Sequence, residues 1–399
     1  MSDVATTEVP SVRTKRSRIA GIDVARGIAL IGMAATHMLQ ISGSMGLTLV
    51  GWLFAGKASA LFAVLAGVSL AIVTGGTKPF SGRDLRRSRI TIAVRAALIG
   101  VLGLLLAASD TYVAVILQYY AVLFLLALPF LRFRARTLAI LAVAWALLSP
   151  QISFLLRGAL GIDMADDQVD IGMVVTQPLT SLHTLLLTGY YPAFTWLTYI
   201  LAGLALGRLD LRSTRVAAWI TGIGAVLAVS AYVVSSALLD ALQIGVVMRG
   251  ADGPYSVVGR AVNEIEFYGT TSSDVPEWLL VASPHSGTTF DVLLTTGTAM
   301  LVLGLCLLLV RGVGVRISRP VAAVGSMTLT LYTLHVLSLA GFVPNDQTQQ
   351  WYVAQVVIAL VVAPLWLMRF RRGPIEEIVH DVSTTAGLAA VPREPVASG

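Results

Sequence analysis

Cysteine is almost missing from this chain, because Cys306 is the single one among 399 residues. One cysteine excludes an intramolecular disulfide and any metal site built from cysteines, and its apolar surroundings (LVLGLCLLLV) predict a small core residue. Charged residues are also scarce, at 13% against 56% hydrophobic residues, and the mean hydropathy is +0.80. A soluble globular domain needs more charge than this on its surface. The chain is therefore predicted to be a membrane protein.

No internal repeat or low-complexity domain is apparent, and no histidines stand at a metal-ligand spacing such as H-x3-H, so we expect no metal. The basic amino-terminal tail leads directly into an interrupted apolar helix without a small-residue cleavage site, so we expect the first helix to remain in the protein. The net charge of +6 comes from short basic clusters between apolar runs. This scattered pattern is not the single basic patch of a nucleic-acid-binding protein, so we expect no nucleic-acid partner.

Apolar runs long enough to cross a bilayer, which takes about 20 residues for a helix, recur along the whole chain. We therefore predict an all-α fold, a polytopic bundle of about ten membrane-spanning helices. The predicted spans lie near 22–43, 48–74, 90–108, 112–131, 137–154, 191–207, 216–240, 288–310, 320–341 and 350–368.

The distribution of basic residues predicts the orientation of this bundle. Of the 28 Lys and Arg residues, 22 fall in alternate connecting segments, namely 1–18, 75–89, 132–136, 208–215, 311–319 and 369–399. The opposite segments hold only Arg157, Arg249 and Arg260. Short loops rich in Lys and Arg remain on the cytoplasmic side, so both termini are predicted to be cytoplasmic.

Two long loops, near 155–190 and 241–287, are predicted on the outer side. They contain the acidic residues Asp163, Asp166, Asp167, Asp170, Glu264, Glu266, Asp274 and Glu277. Loops of this length are usually either functional or disordered, and the aromatic residues Tyr255, Tyr268 and Trp278 favour ordered structure. We divide the chain into a basic cytoplasmic tail (1–18), a transmembrane domain (19–378) and a disordered cytoplasmic tail (379–399).

The first apolar segment includes the stretch ARGIALIGMAATHMLQ, which carries ionisable residues into the membrane. Asp23 and Arg26 are spaced to pair as an i, i+3 couple at its cytoplasmic start. His37 follows 11 residues after Arg26, about 16 Å further along the helix axis. The small residues Gly27 and Gly32 permit close packing, so the polar side of the helix is expected to face the bundle interior.

Counting residues along each span predicts that three histidines reach a similar depth. His37, His285 and His335 come from separate segments and are expected to converge in the outer half of the membrane, with Lys57 at a similar level. His183 falls in or beside the first long loop. The fifth histidine, His380, belongs to the cytoplasmic tail.

Structural roles compete with functional ones for these polar residues. Lys57 could extend to the membrane interface, His335 could bond the neighbouring Ser and Thr hydroxyls, and Asp23 with Arg26 could anchor the helix start. For His37 the functional interpretation is favoured, because an ionisable group at such depth is costly and should have a task.

Several segments resemble a known family of membrane enzymes. The stretch RIAGIDVARGIALIGMAATH is similar to the first helix of the transmembrane acyltransferase superfamily, and Arg26 and His37 form an R-x10-H arrangement like that of the acyltransferase-3 proteins. GKASALFAVLAGVSLAIVTG, TGYYPAFTWLTYILAGLALGRLDL, ASPHSGTTFD, GSMTLTLYTLH and RFRRGPIEEIV resemble bacterial multi-pass proteins of the heparan-alpha-glucosaminide N-acetyltransferase-like, YeiB-like group. The similarity extends from about residue 18 to residue 380.

This resemblance implies an acyltransferase that uses acetyl-CoA or another acyl-CoA as donor. His37 is its expected base or nucleophile, and the shared depth adds His285 and His335 as catalytic candidates. Arginines bind phosphates bidentately, so Arg26 and Arg95, with Asp23, are the candidate donor site. The candidate acceptor-binding residues are Lys57, Gln118, Tyr119 and Tyr191.

The predicted protein acts in the bacterial plasma membrane on a glycan or other cell-envelope acceptor. A transporter of a small envelope metabolite is the alternative, because many helices and midplane ionisable groups are also typical of carriers. A carrier should have two matching halves, and none is apparent in the sequence. A non-catalytic scaffold would leave the three deep histidines unexplained. The sequence leaves the oligomeric state open, with a homodimer as one option.

Overall fold

The computed structural model describes residues 18–43, 46–109, 111–162, 168–250, 253–344 and 347–392. Residues 1–17, most of the predicted basic tail, lie outside this part, as do the loop residues Asp163, Asp166 and Asp167 and the side chains of Arg249 and Tyr255.

Helices dominate the described chain. The α-helices are α1 (Ala20–Met38), α2 (Leu49–Phe54), α3 (Lys57–Val73), α4 (Gly82–Ala107), α5 (Leu117–Ala127), α6 (Ala135–Leu160), α7 (Ile171–Thr176), α8 (Pro178–His183), α9 (Ala193–Gly207), α10 (Thr214–Leu242), α11 (Thr289–Leu309), α12 (Val313–Ile317), α13 (Arg319–Ser326), α14 (Thr328–Leu339), α15 (Thr348–Arg369) and α16 (Pro374–Ala390). Short 3₁₀ segments cover Leu128–Arg132, Gly259–Glu264 and Pro276–Leu280, and a π-helical turn covers Thr184–Thr188.

The described strands form two antiparallel hairpins. They are β1 (Ser42–Gly43) with β2 (Gly46–Leu47), and β3 (Gly245–Gly250) with β4 (Gly253–Val258). The first long loop contains α7 and α8 and the second contains the β3–β4 hairpin, so both have regular structure, as predicted.

The predicted helical membrane fold is confirmed, but the count of spans differs. Six of the described helices, or helix pairs, are long and apolar enough to cross a membrane: α2 with α3, α4, α6, α10, α11 and α15. A seventh is obtained if α13 and α14, bent by 79° at Met327, are taken as one span. α5 and α9 are shorter apolar helices, and Asp23, Arg26 and His37 make α1 less apolar. The number ten and the cytoplasmic termini therefore stay predictions.

Helix α1 lies inside the bundle and packs against α3, α11 and α13. A Cβ atom at Gly27 would come within 2.2 Å of the carbonyl oxygen of Val321, and one at Gly325 within 1.7 Å of that of Asp23. These two glycines let the backbones of α1 and α13 touch, as the small residues of the first span predicted.

The bundle has two chemically distinct ends. At the basic end, Arg208 donates to the carbonyl oxygens of Ala71 and Thr74, at 2.7 and 3.2 Å, and Arg311 donates to Thr214. At the loop end lie α7, α8 and the β3–β4 hairpin.

The carboxy-terminal region differs from its prediction. A disordered tail was expected from residue 379, but α16 continues to Ala390, and residues 393–399 lie outside the described part. α16 packs against α4, where Gly387 approaches Thr91. Arg87 of α4 also donates to the carbonyl oxygens of Val391 and Pro392. These contacts hold α16 against α4.

Candidate functional site

The site residues surround a cavity of about 380 Å³ at the loop end of the bundle. Its walls come from the last turns of α1, the break between α2 and α3, and three loop segments that precede α5, α9 and α11. The polar and aromatic side chains that line it include His37, Tyr112, Tyr190, Tyr191, Glu266, Tyr268 and His285. The cavity therefore joins residues more than 200 positions apart in the chain.

His37 contributes to the cavity wall from the last turn of α1. Its Nδ1 lies 3.0 Å from Nε2 of His335, and the two ring planes differ by only 13°. Nδ1 of His335 lies in turn 2.7 Å from Oε1 of Gln355 on α15. His335 is buried behind His37 and does not itself line the cavity. The predicted convergence thus produces one direct histidine pair.

Close backbone contacts bring the loop segments before α9 and α11 together. A Cβ atom at Gly269, where φ is +86°, would lie 2.1 Å from the carbonyl oxygen of Gly189. A Cβ atom at Gly287, where φ is +65°, would lie 2.6 Å from the carbonyl oxygen of Gly269. Glycine is required where backbones approach so closely. Adjacent to these glycines are the cavity residues Tyr190, Tyr268 and His285.

An aromatic cluster with one carboxylate forms the wall opposite α1. The ring of Tyr190 lies 4.2 Å from that of His285 and 4.6 Å from that of Tyr268, measured between centroids. The Tyr190 hydroxyl donates to Oε1 of Glu266 at 2.8 Å, and the same oxygen lies 3.9 Å from Nε2 of His285. Glu266 is the only acidic residue that lines the cavity in the described chain, and no Lys or Arg lines it there.

Burial controls the charge of this wall. Desolvation, together with the smaller effect of the nearby Lys57 charge, lowers the pKa of His285 to about 3, so the imidazole is neutral at pH 7. Burial also raises the pKa of Glu266, although the hydrogen bond from Tyr190 acts in the opposite direction. Nδ1 of His285 is buried and has no hydrogen-bond partner among the described residues. It is therefore a buried polar atom whose hydrogen-bonding capacity is unused among the described residues.

A second cavity, of about 550 Å³, lies at the basic end. Arg18, Arg26 and Arg212 line it together with Asp23 and Asp210. The predicted couple is present, since Nη1 of Arg26 donates to Oδ1 of Asp23 at 3.0 Å. Arg26 also donates to the hydroxyl of Ser69 on α3. Arginine side chains held in this way can present charge to an anionic ligand.

A small apolar cavity of about 130 Å³ lies between these two. Met33 lines both it and the cavity of His37. Ala66 and Ile99 line it as well, one helical turn from Ser69 and Arg95 respectively. The three cavities therefore follow one another along α1 from the basic end to the loop end.

The other predicted site residues lie outside the two larger cavities. The charge of Arg95 is within interaction range of Arg26 and Arg372, but Arg95 does not line the cavity of Arg26. Lys57 donates to the carbonyl oxygen of Trp52 at 2.6 Å and lies over the Trp52 ring. These contacts suit the structural role at the membrane interface that was the alternative for Lys57. Gln118 is buried against the segment before α7, with its amide 3.5 Å from the carbonyl oxygen of Val169.

Among the predicted acceptor-binding residues, Tyr191 lines the cavity of His37. Tyr119 packs behind it, with the two rings 5.5 Å apart in an edge-to-face arrangement.

Sequence reasoning gave no role to Gln355 and treated Glu266 only as an acidic loop residue. Glu266 had a weak signal, since FYG places aromatic and glycine residues directly after it. Gln355 had none, because a neutral amide in an apolar helix has no distinctive spacing. Among the described residues no group of three His, Cys, Asp or Glu side chains is arranged around a common metal position, and the expectation of no metal stays a prediction.

Comparison with known families gives two matches. The family described as heparan-alpha-glucosaminide N-acetyltransferase, catalytic, matches residues 18–239, more than half of the chain. A second family, described as a protein of unknown function (DUF418), matches residues 271–386. No curated protein matches the chain. His37 and Tyr190 lie in the first match, His285 and His335 in the second, and Glu266 between them.

Proposed function

Because the chain belongs to the heparan-alpha-glucosaminide N-acetyltransferase catalytic family, we propose that it is a membrane acyltransferase. It moves an acetyl or other short acyl group from cytoplasmic acyl-CoA to an extracytoplasmic glycan or other cell-envelope acceptor. The proposed location is the bacterial plasma membrane. The observation that carries the proposal is the position of His37, which lines the cavity at the loop end on the same helix that carries Arg26 at the basic end.

The proposed chemistry needs a base beside the acceptor. His37 takes the proton from the amine or hydroxyl of the acceptor, and the acceptor nitrogen or oxygen attacks the carbonyl carbon of the thioester. The new bond to carbon forms, the carbon–sulfur bond breaks, and the departing thiolate receives the proton from His37. The phenol of Tyr191 lines the same cavity and is the proposed hydrogen-bond donor to the oxyanion.

The donor is proposed to enter from the basic end. CoA carries several phosphate charges, and Arg18, Arg26 and Arg212 line the cavity there. Asp23 and Asp210 in the same wall offset part of the positive charge of the arginines. The arginines can therefore bind the CoA phosphates without leaving a large excess of positive charge in the cavity. The acyl arm would extend along α1, past Met33, towards His37. The distance from Arg26 to His37 along the helix is about 16 Å.

The acceptor is proposed to occupy the cavity of His37. Glu266 provides the only formal charge in its described wall, so the cavity favours an uncharged or amino-bearing acceptor over an anionic one. Tyr190, Tyr191 and Tyr268 offer aromatic faces against which a sugar ring or a cationic group can pack.

Transport is the second candidate, and the bend between α13 and α14 is the observation in its favour. Carriers often bind substrate at the free ends of such broken helices. Here the amino-terminal end of α14 is already occupied, because Glu376 accepts hydrogen bonds from the backbone amides of Leu329 and Thr330 at 2.7 and 3.1 Å. This arrangement favours an enzyme over a carrier.

The first prediction tests the proposal directly. In proteoliposomes with labelled acetyl-CoA on the basic-end side and envelope extract on the other, we expect wild type to label the extract and His37→Ala to lose at least about a hundredfold in rate. His183→Ala, on α8 outside the cavity, is the matched control and should keep the activity. Label retained on the wild-type protein but absent from His37→Ala would indicate an acyl intermediate on His37. Equal rates for wild type and His37→Ala would refute the role of His37, and unlabelled envelope solute crossing the membrane would establish transport.

A further inference from the structure

The side chains behind His37 form a hydrogen-bond chain whose direction is determined at its far end. The Ser338 hydroxyl donates its only hydrogen to the carbonyl oxygen of His335 at 2.6 Å. It can therefore only accept from Gln355, whose Nε2 lies 3.0 Å away. The amide oxygen of Gln355 then faces Nδ1 of His335, at 2.7 Å.

This orientation fixes the tautomers of both histidines. A carbonyl oxygen can only accept, so Nδ1 of His335 must carry a hydrogen. No carboxylate forms an ion pair with either ring among the described residues, and burying an unpaired charge is costly, so both rings are neutral. Nε2 of His335 is then an acceptor, and Nδ1 of His37, 3.0 Å away, must donate to it.

We propose that Gln355, held by Ser338, is a positioning residue that sets the tautomer of His37 through His335. With its hydrogen on Nδ1, His37 has its lone pair on Nε2, on the ring edge turned away from His335. This inference rests on the proposed function of His37 as the base. In the opposite tautomer Nε2 would carry the hydrogen, and His37 could not accept a proton from a molecule in the cavity.

The near coplanarity of the two imidazole rings supports a hydrogen bond between them, whose direction is set by the Gln355 end of the chain. An N–H bond lies in the plane of its ring, as does the lone pair that accepts it. The interplanar angle of 13° and the 3.0 Å separation allow that in-plane alignment. The hydrogen-bond chain thus extends from Gln355 on α15, through His335 on α14, to His37 on α1.

The tautomer can be measured without any assay of activity. We would label histidine with ¹⁵N in the full chain in lipid nanodiscs and assign the His37 signals by their loss in His37→Gln. Wild type should show hydrogen on Nδ1 and a bare Nε2. Gln355→Met, which removes the acceptor, should add the opposite tautomer, whereas Gln350→Met, at an exposed position on the same helix, should match wild type.

Acyl transfer then provides a second test. Gln355→Met should lower the transfer rate about ten- to a hundredfold, as loss of the group that orients a catalytic histidine does. Ser338→Ala should also lower it, because the Gln355 amide is then free to rotate, and Ser338→Thr, which keeps the hydroxyl, should restore it.

The outcomes separate the two proposals. Hydrogen on Nε2 of His37 in wild type, or an unchanged signal in Gln355→Met, would overturn the positioning role. If the tautomers are as inferred but wild type transfers no acyl group, the proposed function fails and the assignment of the hydrogen-bond chain stands.

Discussion

The two histidines that line the cavity are held in different ways. His37 is on a regular helix and has His335 as a direct partner. His285 is in a loop at a φ of +57°, a conformation rare for residues other than glycine, and its ring packs against Tyr190 and Tyr191. Strained residues of this kind often occur at functional sites, where the surrounding contacts maintain them. Here the ring of Tyr190 packs against His285, and the backbone of the nearby Gly287 is held against Gly269.

The buried state of His285 predicts a pH dependence of stability. Its pKa is lowered from the ordinary 6.5 to about 3, so below pH 6.5 the unfolded chain binds a proton that the folded protein does not. Stability should therefore fall as the pH drops from 6.5 towards 3, with a slope of up to about 1.4 kcal/mol per pH unit from this group.

Thermal unfolding of wild type and His285→Gln between pH 7 and pH 5 measures this effect. The difference in slope isolates His285 from the other histidines. We expect a shallower loss of Tm in the variant, and parallel curves would show that His285 does not stay neutral.

The sequence predicted the Asp23–Arg26 pair, but for the histidines it predicted depth and not partners. Counting residues from the helix ends placed His37 and His335 at one level, because helix rise is constant. Which side chain stands next to which depends on the rotation and bending of helices, and the 79° bend before α14 was not apparent in the sequence. The role of Gln355 follows only from the packing of α15.

Among the elements, α14 depends on a residue from a distant part of the chain. Both oxygens of the Glu376 carboxylate are used, one by the amides of Leu329 and Thr330 and the other by the Thr330 hydroxyl. The glutamate thus supplies the cap that a helix starting at a sharp bend cannot obtain from its own sequence.

Replacing this cap should destabilise the protein. We expect Glu376→Ala to lower the free energy of unfolding by about 1–3 kcal/mol, because it leaves two partly buried backbone amides without an acceptor. The control is Glu377→Ala, which removes only the exposed ion pair with Arg372 and should cost no more than about 1 kcal/mol. Thermal unfolding in detergent compares the two, and equal losses would argue against the cap.

Helix positions were predicted better than helix ends. α1 ends at Met38 instead of residue 43, and α6 extends to Leu160 instead of residue 154. Hydropathy detects the apolar middle of a helix, while its ends are determined by caps and loop contacts. The same limit explains α16, whose stability comes from α4.

The whole molecule has basic and acidic chemistry at opposite ends. The arginine-lined cavity is at one end and the cavity of His37 with Glu266 at the other, with the small apolar cavity between them. The positive-inside rule predicts that the basic end faces the cytoplasm, which is the orientation that the proposed transfer needs.

Labelling in intact cells tests this orientation. In a Cys306→Ala background we would place cysteine at Ser81, exposed at the basic end, or at Ser272, exposed at the loop end. A membrane-impermeant thiol reagent should label Ser272→Cys in intact cells and Ser81→Cys only after lysis. The reverse pattern would show that the basic end faces outward.

Composition and charge pattern predicted the class of the molecule, and the residues quoted from its helices predicted its family. The wall that carries Glu266 could not be predicted in this way. It lies in the stretch between the two family matches, and its approach to Tyr190 and His285 depends on close contacts among three glycines far apart in the chain.

Helix α15 gives the surrounding lipid a part in the site. Only Ala363 of its 22 residues is fully buried, so most of its surface faces outward, yet Gln355 reaches inward to His335. In the proposed membrane setting, acyl chains packed against α15 from outside would help to hold Gln355 in place. Annular lipid therefore belongs in any preparation in which the proposed acyl transfer is measured.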